Sequence, residues 1–240
     1  FIRLTLCKLS IHMINGLNLK HNIRDRCKDK IGVLRGMASE IPIEKERKYL
    51  IRKLPWEHGI PENEGVHMQQ WYLDTECIEI DDGVFLMGRH VPEEKSDQVK
   101  WRTSGLLAEI LDNPRSAIRV RIENRLTAKL EVKGPKTGDE GIELGWNILE
   151  VDISWVKERL SRYPSVEKTR WKILAMDGCI WELDIFEGAN EGLKIAEIEY
   201  EDDYEIPDWV GEDVTNDGRL FNQKLATNPI TSWDPVCEYL

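Results

Sequence analysis

Residues 117–133, AIRVRIENRLTAKLEVK, contain two stretches in which charged and apolar side chains alternate. In the first stretch, Arg119 and Arg121 share one face, and the apolar residues around them share the other. The second stretch, 128–133, repeats the alternation with lysine and glutamate. Because successive side chains of a β-strand point to opposite faces, this period of two predicts two strands. The short polar segment between them is typical of a hairpin connection.

The same alternation recurs along the chain. Further strands are predicted at 43–51, 166–171, 181–186 and 195–200. Their charged faces carry like charges two residues apart, such as Glu44 with Glu46, or Lys168 with Arg170. One such pair is ordinary for a solvated strand face. Its repetition on many antiparallel strands favours a sheet that closes on itself, with a polar lumen and with outward apolar faces covered by helices and loops.

Fewer helices are expected. Amphipathic segments at 104–112 and 154–162 predict two, with Ser154 as a candidate cap of the second, and the tail near 222–226 predicts a short one. Residues 74–103 are acidic and poorly periodic, as in an inserted loop or hairpin. The predicted fold class is therefore α+β: mainly an antiparallel β-barrel with flanking helices and a helical C-terminal tail.

Residues 1–36 differ in charge from the rest of the chain. They contain eight Lys or Arg and two Asp, a net charge of +6, whereas the remaining residues carry −17. We interpret them as an atypical basic extension, a tag or a misassigned start. The main domain is expected at 37–228, followed by a tail at 229–240.

Composition excludes several classes of function. The chain has 240 residues, a net charge of −11 and 41% hydrophobic residues. No apolar run approaches the ~18 residues of a membrane span, so a soluble protein is expected. The acidic balance disfavours a nucleic-acid polymer as partner. Five scattered cysteines without CxxC spacing fit a reducing cytoplasm. Serine-hydrolase, P-loop and Rossmann motifs are absent from the sequence.

A polar lumen would gather two opposed sets of charges. The cations are Lys48, Arg119, Arg121, Lys133, Lys168 and Arg170, and the carboxylates are Glu44, Glu46, Glu143, Asp184, Glu197 and Glu199. Like charges repel strongly in a low-dielectric cavity, so groups that do not pair with each other require ligands. Arginine and lysine suit an extended phosphate chain. Clustered carboxylates suit Mg²⁺ or Mn²⁺.

These residues resemble the CYTH, or triphosphate tunnel metalloenzyme, family. The matching blocks are 44–48 (ExExK), 70–73 (QGYL), 118–121 (VRxR), 130–134 (LTIKG), 167–171 (EKTRY), 181–188 (WELDxFxG), 196–199 (AEIE) and 207–215 (PxWxGxEVT). ExExK alone is a weak signal. The ordered set, which spans roughly 43–228, is a specific one.

The resemblance implies an eight-stranded antiparallel tunnel and metal-dependent attack on a triphosphate. It implies that the six cations bind the triphosphate. It also implies that one or two Mg²⁺ or Mn²⁺ ions are held by Glu44, Glu46, Asp184, Glu197 and Glu199, with Glu143 as a further candidate. Tyr72 and Lys133 match a catalytic dyad of some relatives, in which the lysine lies near the attacking water. The expected reaction converts inorganic tripolyphosphate to pyrophosphate and phosphate.

The chain departs from the family pattern at several points. Gly145 stands where a second glutamate often follows Glu143, Trp71 replaces a glycine, and Trp171 replaces a tyrosine. The connection at 74–116 is longer than usual. Thiamine triphosphate, a nucleoside triphosphate, or cyclisation as in class IV-like adenylate cyclases are alternative activities, although the cyclase block HFARxF is not found. A non-catalytic module that binds polyphosphate or a nucleotide is a further alternative.

Overall fold

The computed structural model describes residues 43–92, 100–137, 139–201, 203–234 and 239. The predicted basic extension at 1–36 lies outside these residues, and its boundary stays a prediction. The strands are β1 (Ile43–Ile51), β2 (Val66–Leu73), β3 (Ile78–Ile80), β4 (Val84–Leu86), β5 (Arg89–Val91), β6 (Ala117–Glu123), β7 (Thr127–Lys133), β8 (Glu140–Ile148), β9 (Ser165–Leu174), β10 (Ile180–Glu187), β11 (Lys194–Glu199) and β12 (Val210–Asp213). The helices are α1 (Lys100–Leu111), α2 (Glu150–Leu160) and α3 (Asn222–Thr227).

Eight of these strands close into an antiparallel barrel. The order around the barrel is β1, β8, β7, β6, β2, β9, β10 and β11, and β11 pairs back onto β1. The closing pair sets Glu46 opposite Glu199 and Lys48 opposite Glu197. β12 extends the sheet beside the second half of β1. The predicted eight-stranded barrel is confirmed.

The outward side chains of β6, β7 and β8 are apolar and buried. Ile118, Val120 and Ile122 of β6 are at most 2% exposed. They belong to a core that also contains residues of α1, of α2 and of the small sheet β3–β4–β5. The alternation read from residues 117–133 therefore has the predicted meaning, since the apolar face points out under helices and the charged face points inward.

A second core covers the outer surface of β1, β9, β10 and β11. Trp181 on β10 is fully buried there, and its ring centroid lies 5.5 Å from that of Tyr49 and 5.8 Å from that of Trp209. Both contacts have the edge-to-face geometry that aromatic pairs favour. The two outer cores leave the lumen as the polar part of the barrel.

The lumen is apolar at one end. The inward rows of charged residues continue into Tyr72, Val166, Phe186 and Ile195, which are buried together with Leu225 of α3. We call this cluster the plug. Hydrocarbon side chains thus cover this end on the side of β2, β9, β10 and β11, and Phe221, Asn222 and Gln223 at the start of α3 line the neighbouring charged cavity.

The sequence reading of the helices and of the insert needs correction in detail. α2 begins at Glu150, its first turn contains Glu150 and Asp152, and its cap residue Leu149 makes no side-chain cap bond. The predicted cap, Ser154, is wrong, because acidic residues favour the start of a helix one turn earlier. Part of the insert forms β3–β4–β5. Among the described residues, no helix combines the length and apolar character that crossing a membrane requires.

Candidate active site in the barrel lumen

The charged part of the lumen is a cavity of about 500 Å³. This volume lies within the range of ~300–1,000 Å³ that is usual for small-molecule sites. Among the predicted site residues, its lining contains Glu44, Glu46, Lys48, Tyr72, Arg119, Arg121, Lys133, Glu143, Arg170, Glu197 and Glu199. Lys168 and Asp184 lie behind Arg170 and are fully buried. The structure therefore brings all the predicted site residues to one lumen.

Lys48 on β1 joins two carboxylates of the closing strand pair. Its Nζ atom binds Glu46 and Glu197. The second carboxylate oxygen of Glu46 lies 2.8 Å from the Nζ atom of Lys136. Burial acts to raise the pKa of Glu46, but Lys48 and Lys136 outweigh it and lower the pKa to about 2. Glu46 is therefore ionised and already neutralised by protein cations.

Arg170 on β9 is the centre of a dense ion-pair network. Its Nε and Nη2 atoms each lie 2.6 Å from an oxygen of Asp184, and Nη2 also lies 2.6 Å from Glu197. Its Nη1 atom binds Glu182. Lys168 binds the same Asp184, and burial together with the charge of Arg170 lowers the pKa of Lys168 to about 8. This wall thus contains a fully buried lysine whose charged form is disfavoured by burial and by the charge of Arg170.

The opposite wall pairs its cations around Glu131 on β7. The Nε atom of Arg119 lies 2.8 Å from one oxygen of Glu131, and Nη2 of Arg121 lies 3.2 Å from the other. Lys133 binds Glu143 on β8, and its Nζ atom lies 3.8 Å from Glu44. Every one of the six predicted cations therefore has a carboxylate partner in this structure.

Glu44 and Glu199 are the lumen carboxylates with the least compensation. Glu199 makes no ion pair among the described residues. Burial and the neighbouring Glu143 raise the pKa of Glu44 to about 7, and burial together with Glu182 raises the pKa of Glu199. A divalent cation would relieve this repulsion. Because the donors are all carboxylate oxygens, they fit a hard ion such as Mg²⁺ or Mn²⁺.

Tyr72 and Lys133, the predicted dyad, line the same cavity with separate contacts. The hydroxyl of Tyr72 donates to Gln70 at 3.4 Å, and Tyr72 lies opposite Arg119 in the β2–β6 register. Burial raises the pKa of Tyr72 to about 12. Lys133 contacts the glutamates Glu44 and Glu143 instead. The catalytic role of the dyad stays a prediction.

Six charged residues that line the cavity are absent from the sequence-based site: Arg115, Lys129, Glu131, Lys136, Lys172 and Glu182. Glu131 and Glu182 lie on inward strand faces, so the period of two contained the signal, but no family block assigned them a role. Lys136 follows β7 in an irregular segment, where sequence periodicity does not predict the direction of a side chain. Its Cγ lies 3.1 Å from the position of a Cβ atom built on Gly141, so the side chain crosses β8 where that strand lacks one.

The departure at Gly145 also has a local explanation. A Cβ atom built on Gly145 would lie 2.7 Å from Cε of Lys129. The Nζ atom of Lys129 lies 3.6 Å from Glu131. The space that the side chain of a second glutamate would occupy at position 145 of β8 is therefore taken by Lys129 of β7, which contacts Glu131 on its own strand.

Comparison with known proteins points to one group. The chain is 36% identical over 152 residues to an inorganic triphosphatase of Acetivibrio thermocellus, a match that covers 60% of this chain and 96% of the relative. It is 32% identical over 124 residues to an inorganic triphosphatase of Nitrosomonas europaea, with 48% and 80% covered. A crystal structure of an inorganic triphosphatase aligns with 23% identity and a TM-score of 0.43, over 76% of this chain and 93% of that one.

No family model matches the chain. The relative from Acetivibrio thermocellus is nevertheless spanned almost end to end at 36% identity. The ordered sequence blocks lie on the strands of a closed barrel, and their charged residues line its lumen. The chain belongs to the CYTH family of triphosphate tunnel proteins.

Proposed function

We propose that the chain binds a triphosphate in the lumen and hydrolyses one of its phosphoric anhydride bonds. The observation that carries the proposal is the meeting of five of the six predicted cations with a carboxylate cluster in one cavity of about 500 Å³, while the sixth cation, Lys168, is buried next to it. The preferred substrate is inorganic tripolyphosphate, and the products are pyrophosphate and phosphate. The names of the two relatives, both inorganic triphosphatases, support this substrate.

The cations of the lumen hold the triphosphate in this proposal. The guanidinium groups of Arg119, Arg121 and Arg170 exchange a carboxylate partner for phosphate oxygens, which they bind in a bidentate manner. The remaining cations of this set are Lys48, Lys133 and Lys168. Phosphoryl transfer depends mainly on positioning and on neutralisation of charge, and both are supplied by fixed cations on a rigid barrel.

The metal belongs to the carboxylate side of the lumen. Glu44 and Glu199 would hold Mg²⁺ or Mn²⁺ together with Glu46, and Asp184 and Glu197 complete the set inferred from the resemblance. When bound, such an ion neutralises phosphate oxygens and lowers the pKa of coordinated water. Glu46 must release one of its ammonium partners before it can serve as a ligand.

Lys133, with Tyr72, is the candidate for the proton transfer that the resemblance suggests, and both residues line the cavity. Lys168 is fully buried against Asp184 and does not line the cavity, so it has no route to the attacking water in this structure. Lys133→Gln tests the role of Lys133, since loss of a proton acceptor changes the ascending, acidic limb of the pH–rate profile, whereas loss of a phosphate contact alone raises KM.

The test of the proposed function is a substrate comparison with the full chain. Tripolyphosphate, ATP and thiamine triphosphate are each incubated with Mg²⁺ or Mn²⁺, and the products are identified. We expect release of phosphate and pyrophosphate from tripolyphosphate. Preferred hydrolysis of ATP or thiamine triphosphate would reassign the substrate, and cyclic AMP would identify a cyclase. Tight binding without turnover would leave a binding module and overturn the hydrolase proposal.

Glu199→Gln tests the carboxylate site. We expect it to abolish metal-dependent turnover with little effect on folding, because Glu199 faces the lumen and not a core. Glu62→Gln, an exposed position outside the cavity, is the matched control and is expected to retain turnover. Retained turnover in Glu199→Gln would remove this residue from the site, and a collapsed circular dichroism spectrum would make it structural.

A further inference from the structure

A second set of metal-ligand side chains lies on the outer wall of the barrel. His67 on β2, Glu167 on β9 and Glu187 on β10 place one ligand atom each within 4.8 Å of one another. All three residues alternate with lumen residues along their strands and therefore face away from the tunnel. Glu167 belongs to the block 167–171, yet its outward direction leaves it without a part in the lumen chemistry.

The sheet itself fixes the arrangement. In the antiparallel registers, Glu167 lies opposite Glu187, and His67 lies opposite Thr169, two residues farther along β9. The backbone of His67 is held from the other side by Asn124, whose side-chain oxygen accepts from the His67 amide at 2.9 Å. Three adjacent strands of a closed barrel thus carry the three ligands, and such a frame is more rigid than a loop.

Two carboxylates face each other across this strand pair. Like charges directly opposite on a sheet are destabilising. The oxygen Oε1 of Glu167 lies 2.8 Å from Nε2 of His67 and accepts from Gln69 at 3.2 Å. Oε1 of Glu187 accepts from Thr169 at 2.7 Å, which leaves Oε2 directed towards His67 at 3.9 Å. A positive charge between the two carboxylates would reduce their electrostatic repulsion.

The distances suit a small divalent ion. Zinc bonds of about 2.0–2.2 Å in tetrahedral geometry separate two ligand atoms by about 3.4 Å. The observed separations from Nε2 of His67, 2.8 Å and 3.9 Å, lie on either side of this value. The side chains of the three residues are 30–43% exposed, so the fourth position is open to water. One imidazole and two carboxylates select Zn²⁺ or a similar transition ion over Mg²⁺.

We propose that His67, Glu167 and Glu187 form a transition-metal site on the outer wall of the barrel, separate from the lumen, with Zn²⁺ as its preferred ion. Gln69 and Thr169 orient the two carboxylates through their hydrogen bonds, as second partners of metal ligands commonly do. The site is independent of the proposed hydrolysis, because its residues touch neither the triphosphate cations nor the lumen carboxylates.

The experiment titrates the full chain with Co²⁺ in excess Mg²⁺, which occupies hard-ion sites, and then displaces the Co²⁺ with Zn²⁺. We expect one equivalent with visible d–d bands and without the near-ultraviolet charge-transfer band of a cysteine thiolate. His67→Gln, which keeps a hydrogen-bonding side chain, is expected to weaken Co²⁺ binding at least about tenfold. Glu187→Gln is expected to act in the same direction.

His58→Gln is the matched control, since His58 is an exposed histidine that does not belong to the cluster. Its Co²⁺ affinity is expected to equal that of the unmodified chain. Binding that is unchanged in both His67→Gln and Glu187→Gln, or a spectrum of thiolate type only, would overturn the proposal. Tripolyphosphate turnover of His67→Gln is measured in parallel and is expected to be unchanged, so failure of the outer site and failure of the lumen chemistry give different results.

Discussion

Glu46 carries an ammonium group on each of its carboxylate oxygens. Lys48 binds Oε1, and Lys136 lies 2.8 Å from Oε2. A divalent ion that binds Glu46 must displace one of them. The side chain of Lys136 is 32% exposed and that of Lys48 is 8% exposed, so Lys136 regains hydration more easily when it leaves. At the scale of single residues, Lys136 is therefore the group that competes with the metal.

Removing Lys136 should tighten metal binding. We expect Lys136→Gln to bind Mn²⁺ about three- to tenfold more tightly than the unmodified chain in the absence of triphosphate, since one charge-assisted bond to Glu46 is lost. Isothermal titration calorimetry measures the affinity. Lys53→Gln, exposed and outside the cavity, is the control. An unchanged or weaker affinity in Lys136→Gln would contradict the competition.

Glu44 makes the stability of the metal-free protein depend on pH. Its pKa is about 7 in the folded state, against an ordinary value of 4.5, so the folded state binds this proton more tightly than the unfolded chain does. The stabilisation is fully present below pH 4.5 and is lost as the pH rises through about 7. Glu44→Gln imitates the protonated form and removes this loss.

The measurement is urea unfolding with a chelator present, at about pH 5 and about pH 8. The free energy of unfolding of Glu44→Gln should rise relative to that of the unmodified chain between these two values, because only the carboxylate repels Glu143 above pH 7. A difference that does not change with pH would show that Glu44 titrates normally.

At the scale of elements, strands were easier to predict than helix ends. The strands within 117–133 can be predicted from this stretch alone, because a period of two with charge on one face identifies both the strand and its inward side. The start of α2 was missed, since acidic residues in the first turn outweighed the capping residue Ser154. The small sheet β3–β4–β5 has strands of three residues, which are too short for periodicity to reveal.

Helix α3 depends on the plug for its stability. It has six residues, and isolated helices shorter than ~12–15 residues are marginal in water. Leu225 is fully buried in the plug. We expect Leu225→Ala to lower the free energy of unfolding by about 2–5 kcal/mol.

Lys224→Ala, on the exposed side of α3, is the control and should change the free energy of unfolding by less than about 0.5 kcal/mol. Urea unfolding monitored by tryptophan fluorescence gives both values. Equal effects of the two substitutions would mean that α3 is not anchored through Leu225.

At the scale of the whole molecule, every predicted cation of the lumen is paired with a carboxylate when ligands are absent. Arg170 donates hydrogen bonds to Asp184 and Glu197, and Arg119 donates one to Glu131. A triphosphate that takes these cations leaves carboxylates uncompensated, and a metal ion that takes the carboxylates leaves cations uncompensated. Each ligand therefore prepares the site for the other, and the two bindings should be cooperative.

The coupling is measured with a non-hydrolysable imido analogue of tripolyphosphate and Mg²⁺, after correction for the complex that they form in solution. Each should raise the affinity for the other by the same factor, at least about fivefold. In the unmodified chain, independent binding would contradict the exchange of ion-pair partners.

The blocks of the sequence located these charged groups, but the pairing among them depends on side-chain directions that only the closed barrel defines.

The plug also decides how a long substrate is used. We expect the plug to block passage through this end of the barrel, so that a substrate enters and its product leaves by the same opening. A linear polyphosphate can then insert only its terminus, so shortening should proceed from the chain ends, one unit at a time, and internal scission should be rare. A ring-shaped phosphate, which offers no terminus, should be a poor substrate even though its charge is the same per phosphorus.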